Sequence, residues 1–256
     1  MNKRWEIWEL KLALNLYCKL PFGQYHSHNP EVIKLAKILN RTPSAVAMKL
    51  CNFASLDKVH QKRGVKGLAH GSKKDILVWQ QFHEDVEGFI LESEKILQEH
   101  KGKSLIDEIS NDLPHVDGLE REAIVRQRVN QQFFRRMVLG SYRYRCAVCM
   151  LPIESLLVAS HIVPWSVNEK ARMDPRNGIA LCSLHDKAFD TGLITVDVGY
   201  YLRLSPILDQ FSKEPAIVHG FLPYKDNKIL LPDRFLPLED YLKYHFENVF
   251  VASVSK

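Results

Sequence analysis

The sequence predicts an α+β protein, with a helical first part followed by a small mixed module. Three observations carry this. Apolar residues recur at helical spacing through the first 85 residues. A strand–loop–strand–helix order is readable between Ser155 and Gly192. Charge falls in blocks: residues 1–82 hold 14 Lys/Arg and 5 Asp/Glu, residues 83–124 hold 4 and 12, and residues 125–256 hold 17 and 13. A chain of 256 residues accommodates one or two domains. We divide it into a helical domain (1–85), an acidic helical linker (86–124) and a second module (125–256). A composition that is 46% hydrophobic and 25% charged is that of a soluble globular protein. No run reaches the roughly 18 apolar residues of a membrane span, and Met1–Glu6 lacks the apolar core of a signal peptide. The expectation is a cytoplasmic protein without a membrane partner, in which a disulfide framework is disfavoured.

In the first domain, Trp5, Trp8, Leu12, Leu16 and Leu20 mark one helix, which Pro21-Phe22-Gly23 ends. Asn29 is an N-cap and Pro30 a first helical residue. Thr42 and Pro43 repeat that pattern after a short turn at Asn40-Arg41. Two helices about a tight turn resemble a helix-turn-helix, whose second helix enters the major groove of double-stranded DNA. Arg41, Ser44 and Lys49 are the expected first contacts. The following basic stretch, with Lys62, Arg63 and Lys66 among glycines, is expected to approach phosphates. The bland alternative for all of these is a solvated basic surface. The acidic residues 83–124 argue against that stretch lying on DNA, so it reads as a spacer. A helix over 120–139 carries Arg126, Arg128, Arg135 and Arg136 into the second module.

There, Ser155–Val163 reads as a strand, Asn177-Gly178 as a turn, Ile179–Leu181 as a second strand and Ser183–Asp190 as a two-turn helix stopped by Gly192. His161 ends the first strand, Asn177 lies in the loop and His185 on the helix. Asp186 and Asp190 are four apart on one helix face and can reach one ion, which for carboxylate ligands means magnesium or manganese. For Asp190 alone, a cap or salt bridge is an equal reading. Cys146-x2-Cys149 and Cys182-x2-His185 form two knuckles that suit tetrahedral zinc. Cys18 and Cys51 read as small buried hydrophobes, and Trp165 and Phe189 as core.

The run Ala159-Ser160-His161-Ile162-Val163-Pro164-Trp165, then Asn177-Gly178, then Leu184-His185-Asp186-Lys187-Ala188-Phe189-Asp190 resembles the HNH (ββα-metal) endonuclease family. Its nearest likeness is the branch found with a helical N-terminal zone in restriction-type enzymes. The resemblance implies a metal-dependent DNA endonuclease in restriction or host defence, with modification dependence as one form of it. It implies His161 as general base, Asn177 as the residue that holds the loop and orients His161, and His185 with Asp186 as ligands of the catalytic divalent ion. Histidine is the side chain that can act as a base near neutral pH. The pattern departs from the family at Ser160, where many members carry another metal ligand. His185 is left with two competing jobs, zinc or the catalytic ion. Two rival functions stay open: a nonspecific or structure-selective nuclease, and a DNA-binding regulator with an inactive HNH fold. Gly192–Val198 and Tyr200–Ser205 read as strands, and Leu238–Phe250 as an amphipathic helix that completes the core or a homodimer face.

Overall fold

A computed structural model describes residues 4–62, 72–105 and 118–253 of the chain. The chain divides into two units, Met1–Met137 and Val138–Lys256. In the first unit, α1 (Ile7–Lys19) is the central helix. Leu10, Leu12, Ala13, Leu14 and Tyr17 are all fully buried, so it is apolar on almost every side, as a core helix must be. A reciprocal box between Glu6 and Glu9 caps its N-terminus. The two expected caps are present in α2 (Pro30–Ile38) and α3 (Pro43–Leu56): Asn29 accepts from the Glu31 amide and Thr42 from the Ala45 amide. Asn40 turns the chain between them with φ +48°. The short α4 (Lys58–Lys62) follows, then α5 (Lys73–Glu84) and α6 (Val86–His100).

Two of the residues expected at DNA are spent inside this unit. The Arg41 guanidinium donates to both oxygens of the fully buried Glu9 at 3.0 and 2.7 Å and lies over the Trp5 ring. The Lys49 ammonium donates to both oxygens of buried Asp75 at 3.0 and 2.9 Å. Burial made these charges structural, because a buried carboxylate must be paired. Ser44 is exposed at the start of α3. Lys62 ends α4, while Arg63 and Lys66 lie outside the described residues.

The spacer reading needs correction over Val86–His100, whereas residues 106–117 of that stretch lie outside the described residues. The helix α6 packs along α1 within the first unit. Its Glu94 carboxylate takes hydrogen bonds from Lys19 and Asn15, and its Glu92 pairs with Lys11. Glu92 and Glu94 of the acidic block are therefore counter-charges of Lys11 and Lys19 in the basic one. The long helix α7 (Gly118–Ser141) follows, and the division between the units falls inside it.

In the second unit, β1 (Leu157–His161) pairs antiparallel with β2 (Gly178–Cys182), and His161 lies opposite Gly178. The helix α8 (Ser183–Asp190) starts where β2 ends and packs on both strands. A second hairpin, β3 (Ile194–Val196) with β4 (Leu202–Leu204), and two helices, α9 (Pro215–Gly220) and α10 (Glu239–Asn248), complete it. Gly192, at φ +72°, is required after α8: an added Cβ would come 2.1 Å from the Val249 carbonyl oxygen. No helix among the described residues is long and apolar enough to cross a membrane.

The buried pair predicts a stability difference. Lys49→Ala strands the Asp75 carboxylate and is expected to cost about 3–5 kcal/mol of unfolding free energy in urea titrations. Ser44→Ala is expected to stay within about 0.5 kcal/mol of wild type. A Lys49→Ala protein of wild-type stability would contradict the structural role.

Candidate functional site

Two clusters of reactive side chains flank the ββα element. The first gathers both knuckles. After residues Arg143 and Tyr144, both with positive φ, Cys146–Met150 forms a tight turn closed by the Met150 amide on the Cys146 carbonyl. The Ala147 amide donates to Ala180 of β2 at 2.7 Å, which docks this turn beside the second knuckle. Cys182 sits at the N-terminus of α8 and His185 one turn inside. The ligand atoms of Cys146, Cys149, Cys182 and His185 all lie within 4.8 Å of one another.

The spacings fit a tetrahedral ion. Sulfur and nitrogen ligands on zinc stand about 3.5–3.8 Å apart, given bonds of about 2.3 and 2.0 Å. Here Cys149 and Cys182 sulfurs are 3.9 Å apart, and His185 Nδ1 lies 3.6 Å from Cys146 and 3.2 Å from Cys182. The His185 Nε2–H donates to the Gly220 carbonyl at 2.8 Å, which turns Nδ1 toward the sulfurs, as a ligating imidazole requires. Four such donors cannot all lose their protons without a cation between them. The Cys149 and Cys182 thiols, with burial, push Cys146 up, while hydrogen bonds from Cys146 and Cys149 pull Cys182 down. Burial works against a charged His185 ring, yet the Cys146 and Cys182 sulfurs hold its pKa up at about 10.

The second cluster lines a cleft of about 480 Å³, with His161, Ser160, Asp186, Asp190, Trp165 and His245 on its walls. The loop from Ile162 to Asn177 frames it. Buried Asn177 closes this loop on itself: its Oδ1 accepts from the Val163 amide at 2.8 Å, and its Nδ2 donates to the Val163 and Ala171 carbonyls, both at 3.1 Å. Asn177 therefore reaches His161 through the backbone, not through a direct bond. The direct partner is Arg172, whose carbonyl accepts from His161 Nε2 at 3.0 Å. That bond makes Nε2 the protonated nitrogen and leaves the ring's lone pair on Nδ1. The Arg172 side chain holds Trp165, which in turn packs against the His161 ring. It donates to the Trp165 carbonyl at 2.9 Å and lies over the Trp165 indole, which meets His161 edge-on at 5.4 Å. Burial lowers the His161 pKa, so the neutral form is kept below the usual histidine range.

Asp186 and Asp190 face the same cleft from α8. Burial raises the pKa of both, and the charge of Asp186 raises Asp190 further. The hydroxyl of Ser160 is buried beside Asp186 and has no partner at hydrogen-bonding geometry. Two crowded carboxylates, with the Ser160 hydroxyl beside Asp186, form a donor set that fits a hard cation with water ligands.

The structure thus brings His161, Asp186 and Asp190 together, and Asn177 to the loop that frames them. It sends His185 to the cysteines. Phe189 is core, but Trp165 is half-buried on the cleft wall. Three contributors carried no readable signal. Arg172 acts mainly through its backbone, and so does Gly220. His245 arrives from α10, 56 residues beyond Phe189, onto whose ring it stacks at 3.7 Å. Its Nδ1 accepts from the Thr195 hydroxyl at 2.8 Å and its Nε2 donates to the Phe189 carbonyl at 3.2 Å.

Residues 146–197 match the family model HNH_2, described as HNH endonuclease. This matched segment holds every residue of both clusters named above except His245, and it is an HNH endonuclease domain. A search of curated proteins returns no match for the chain.

His245 makes the fold sensitive to acid. Burial lowers its pKa from 6.5 to about 4. Between these values the unfolded chain binds the proton and the folded one does not, so this contribution to stability falls as pH falls. At neutral pH the neutral ring is worth at most about 3 kcal/mol through this effect. The gap in unfolding free energy between wild type and His245→Gln is expected to narrow from pH 7 to pH 4. A gap independent of pH would show that His245 is not held neutral by the fold.

Proposed function

We propose that this protein is a metal-dependent endonuclease that hydrolyses phosphodiester bonds of double-stranded DNA. The observation that carries the reading is His161, whose Nε2–H is held by the Arg172 carbonyl on the wall of the cleft that also contains Asp186 and Asp190. Nδ1 of the neutral ring takes the proton of the attacking water. Asn177 and Arg172 are positioning residues: one holds the loop, the other the ring. Asp186 and Asp190 hold the divalent cation, and magnesium or manganese suits their hard oxygens. That cation supplies the counter-charge for the phosphorane and the leaving oxygen. Cys146, Cys149, Cys182 and His185 hold a separate structural zinc, which leaves Asp186 as the leading ligand of the catalytic ion. A restriction or host-defence role rests on the family likeness alone.

His161→Ala is expected to lower the rate of plasmid cleavage with magnesium or manganese by about 10²–10⁴-fold. In wild type, the acid limb of log(kcat/KM) is expected to bend below pH 6.5, since the His161 pKa is lowered. Undiminished cutting by His161→Ala would remove it as the base, and no cutting by wild type of modified or unmodified DNA would favour a DNA-binding regulator.

Metal analysis separates the two cation sites. Mass spectrometry of the purified protein is expected to find one zinc per chain. Cys149→Ser loses that zinc together with several kcal/mol of stability, whereas Asp186→Asn keeps the zinc and loses cleavage. Zinc retained at full stoichiometry in Cys149→Ser would place the ion elsewhere.

A further inference from the structure

The first unit contains a cavity of about 320 Å³ among α1, α2, α6 and α7, which the nuclease reading does not use. Leucines of α1, α2 and α6 and the Phe133 ring of α7 form its apolar walls. Its polar side is crowded with positive charge. The Lys19 ammonium lies 4.8 Å from the centre of the Phe133 ring and donates to Glu94. Lys101 and Arg136 also line the cavity, and among the described residues neither has an ion-pair partner. Both are close enough to oppose the charge of Lys19. The lining holds two carboxylates: Glu31 is paired with Lys34 and Glu94 with Lys19, so Lys101 and Arg136 are the cations in excess among the described residues. Gln98 is more than nine-tenths buried in the same wall, and its side-chain oxygen has no hydrogen-bond donor.

These features specify a ligand. The excess cations ask for an anion, and two unmatched charges suit a phosphate dianion better than a carboxylate. The apolar walls with one aromatic ring suit a flat apolar body. The orphaned amide oxygen asks for a donor on the edge of that body, as a nucleobase offers. A volume near the lower end of the roughly 300–1,000 Å³ range of ligand pockets admits one nucleotide. A fatty acid would leave Gln98 unsatisfied.

We propose that this cavity is a nucleotide-binding site, with the phosphate between Lys101 and Arg136 and the base against Phe133 with its edge toward Gln98. A free nucleotide and a nucleotide turned out of a DNA strand share this chemistry. The site stands independently of the nuclease reading.

Calorimetric titration of the full chain with each of the four 2′-deoxynucleoside 5′-monophosphates, and with inorganic phosphate, tests it. At least one nucleotide is expected to bind ten-fold or more tightly than phosphate. The double variant Lys101→Gln, Arg136→Gln is expected to weaken it at least ten-fold. Both side chains are exposed, so its melting temperature serves as the control for folding. Equal affinity for phosphate and nucleotides, no binding of either, or nucleotide binding unchanged in the folded double variant would each overturn the proposal. Displacement of the bound nucleotide by a short single-stranded oligonucleotide assigns the site to a DNA strand, and its persistence assigns it to a free nucleotide. Neither readout requires cleavage, so an inactive nuclease site leaves the test intact.

Discussion

The position of α8 depends on the gathering of Cys146, Cys149, Cys182 and His185 about one point. The first two residues come from a turn that adds to the edge of β2, the third ends β2, and the fourth lies one turn into the helix. A helix rotates about 100° per residue. If His185 is fixed toward the sulfurs, Asp186 must look away from them, and Asp190, four residues on, returns to the side of Asp186. The face of α8 opposite the cysteines is thereby the one available to the cleft. Ala188 and Phe189 pack the buried side of α8 onto the strands, and the cysteine cluster fixes its N-terminal turn. The backbone bond from His185 Nε2 to Gly220 adds a second anchor from outside the element.

Charge in this protein illustrates how sequence blocks mislead. A basic stretch followed by an acidic one reads as a polyanion-binding surface followed by a linker. In three dimensions the described parts of the two meet: α6 packs on α1, and Glu94 answers Lys19. Arg41 and Lys49 go further inward, each chelating a buried carboxylate. Nothing local in the sequence distinguishes a lysine on a surface from one facing Asp75, 26 residues away. The caps at Asn29 and Thr42, by contrast, are local interactions over two or three residues, and they are legible for that reason.

The same distinction holds at the site. The limits of α8, the strand end at His161 and the pairing of β1 with β2 follow from short-range pattern. The expected first strand, Ser155–Val163, is longer than β1 at both ends: Ser155 and Leu156 belong to a 3-10 helix, and the Ile162 and Val163 amides bond to Asn177. The loop after His161 is not legible, because backbone atoms build it. Asn177 closes it through the carbonyl and amide of Val163, and the Arg172 carbonyl holds the imidazole. Any residue type supplies a carbonyl, so the sequence carries no mark of which one will. His245 is hidden for a different reason: its role exists only once α10 folds against β3.

Ser160 connects these points. It occupies the place before His161, the proposed base, where the family resemblance leads one to expect a metal-binding side chain. A serine hydroxyl reaches the cleft but brings no charge, and here it lies buried beside Asp186. The negative charge for a cation must then come from α8, as the pair Asp186 and Asp190. One helix thus presents both carboxylates, and the β1 strand presents His161, the proposed base. Their separation is set by how α8 packs on β1, and the rotation of α8 is set by His185 among the cysteines. In the proposed site both carboxylates come from α8, whose His185 lies among the cysteines, so the geometry of the cleft is expected to depend on the cysteine cluster.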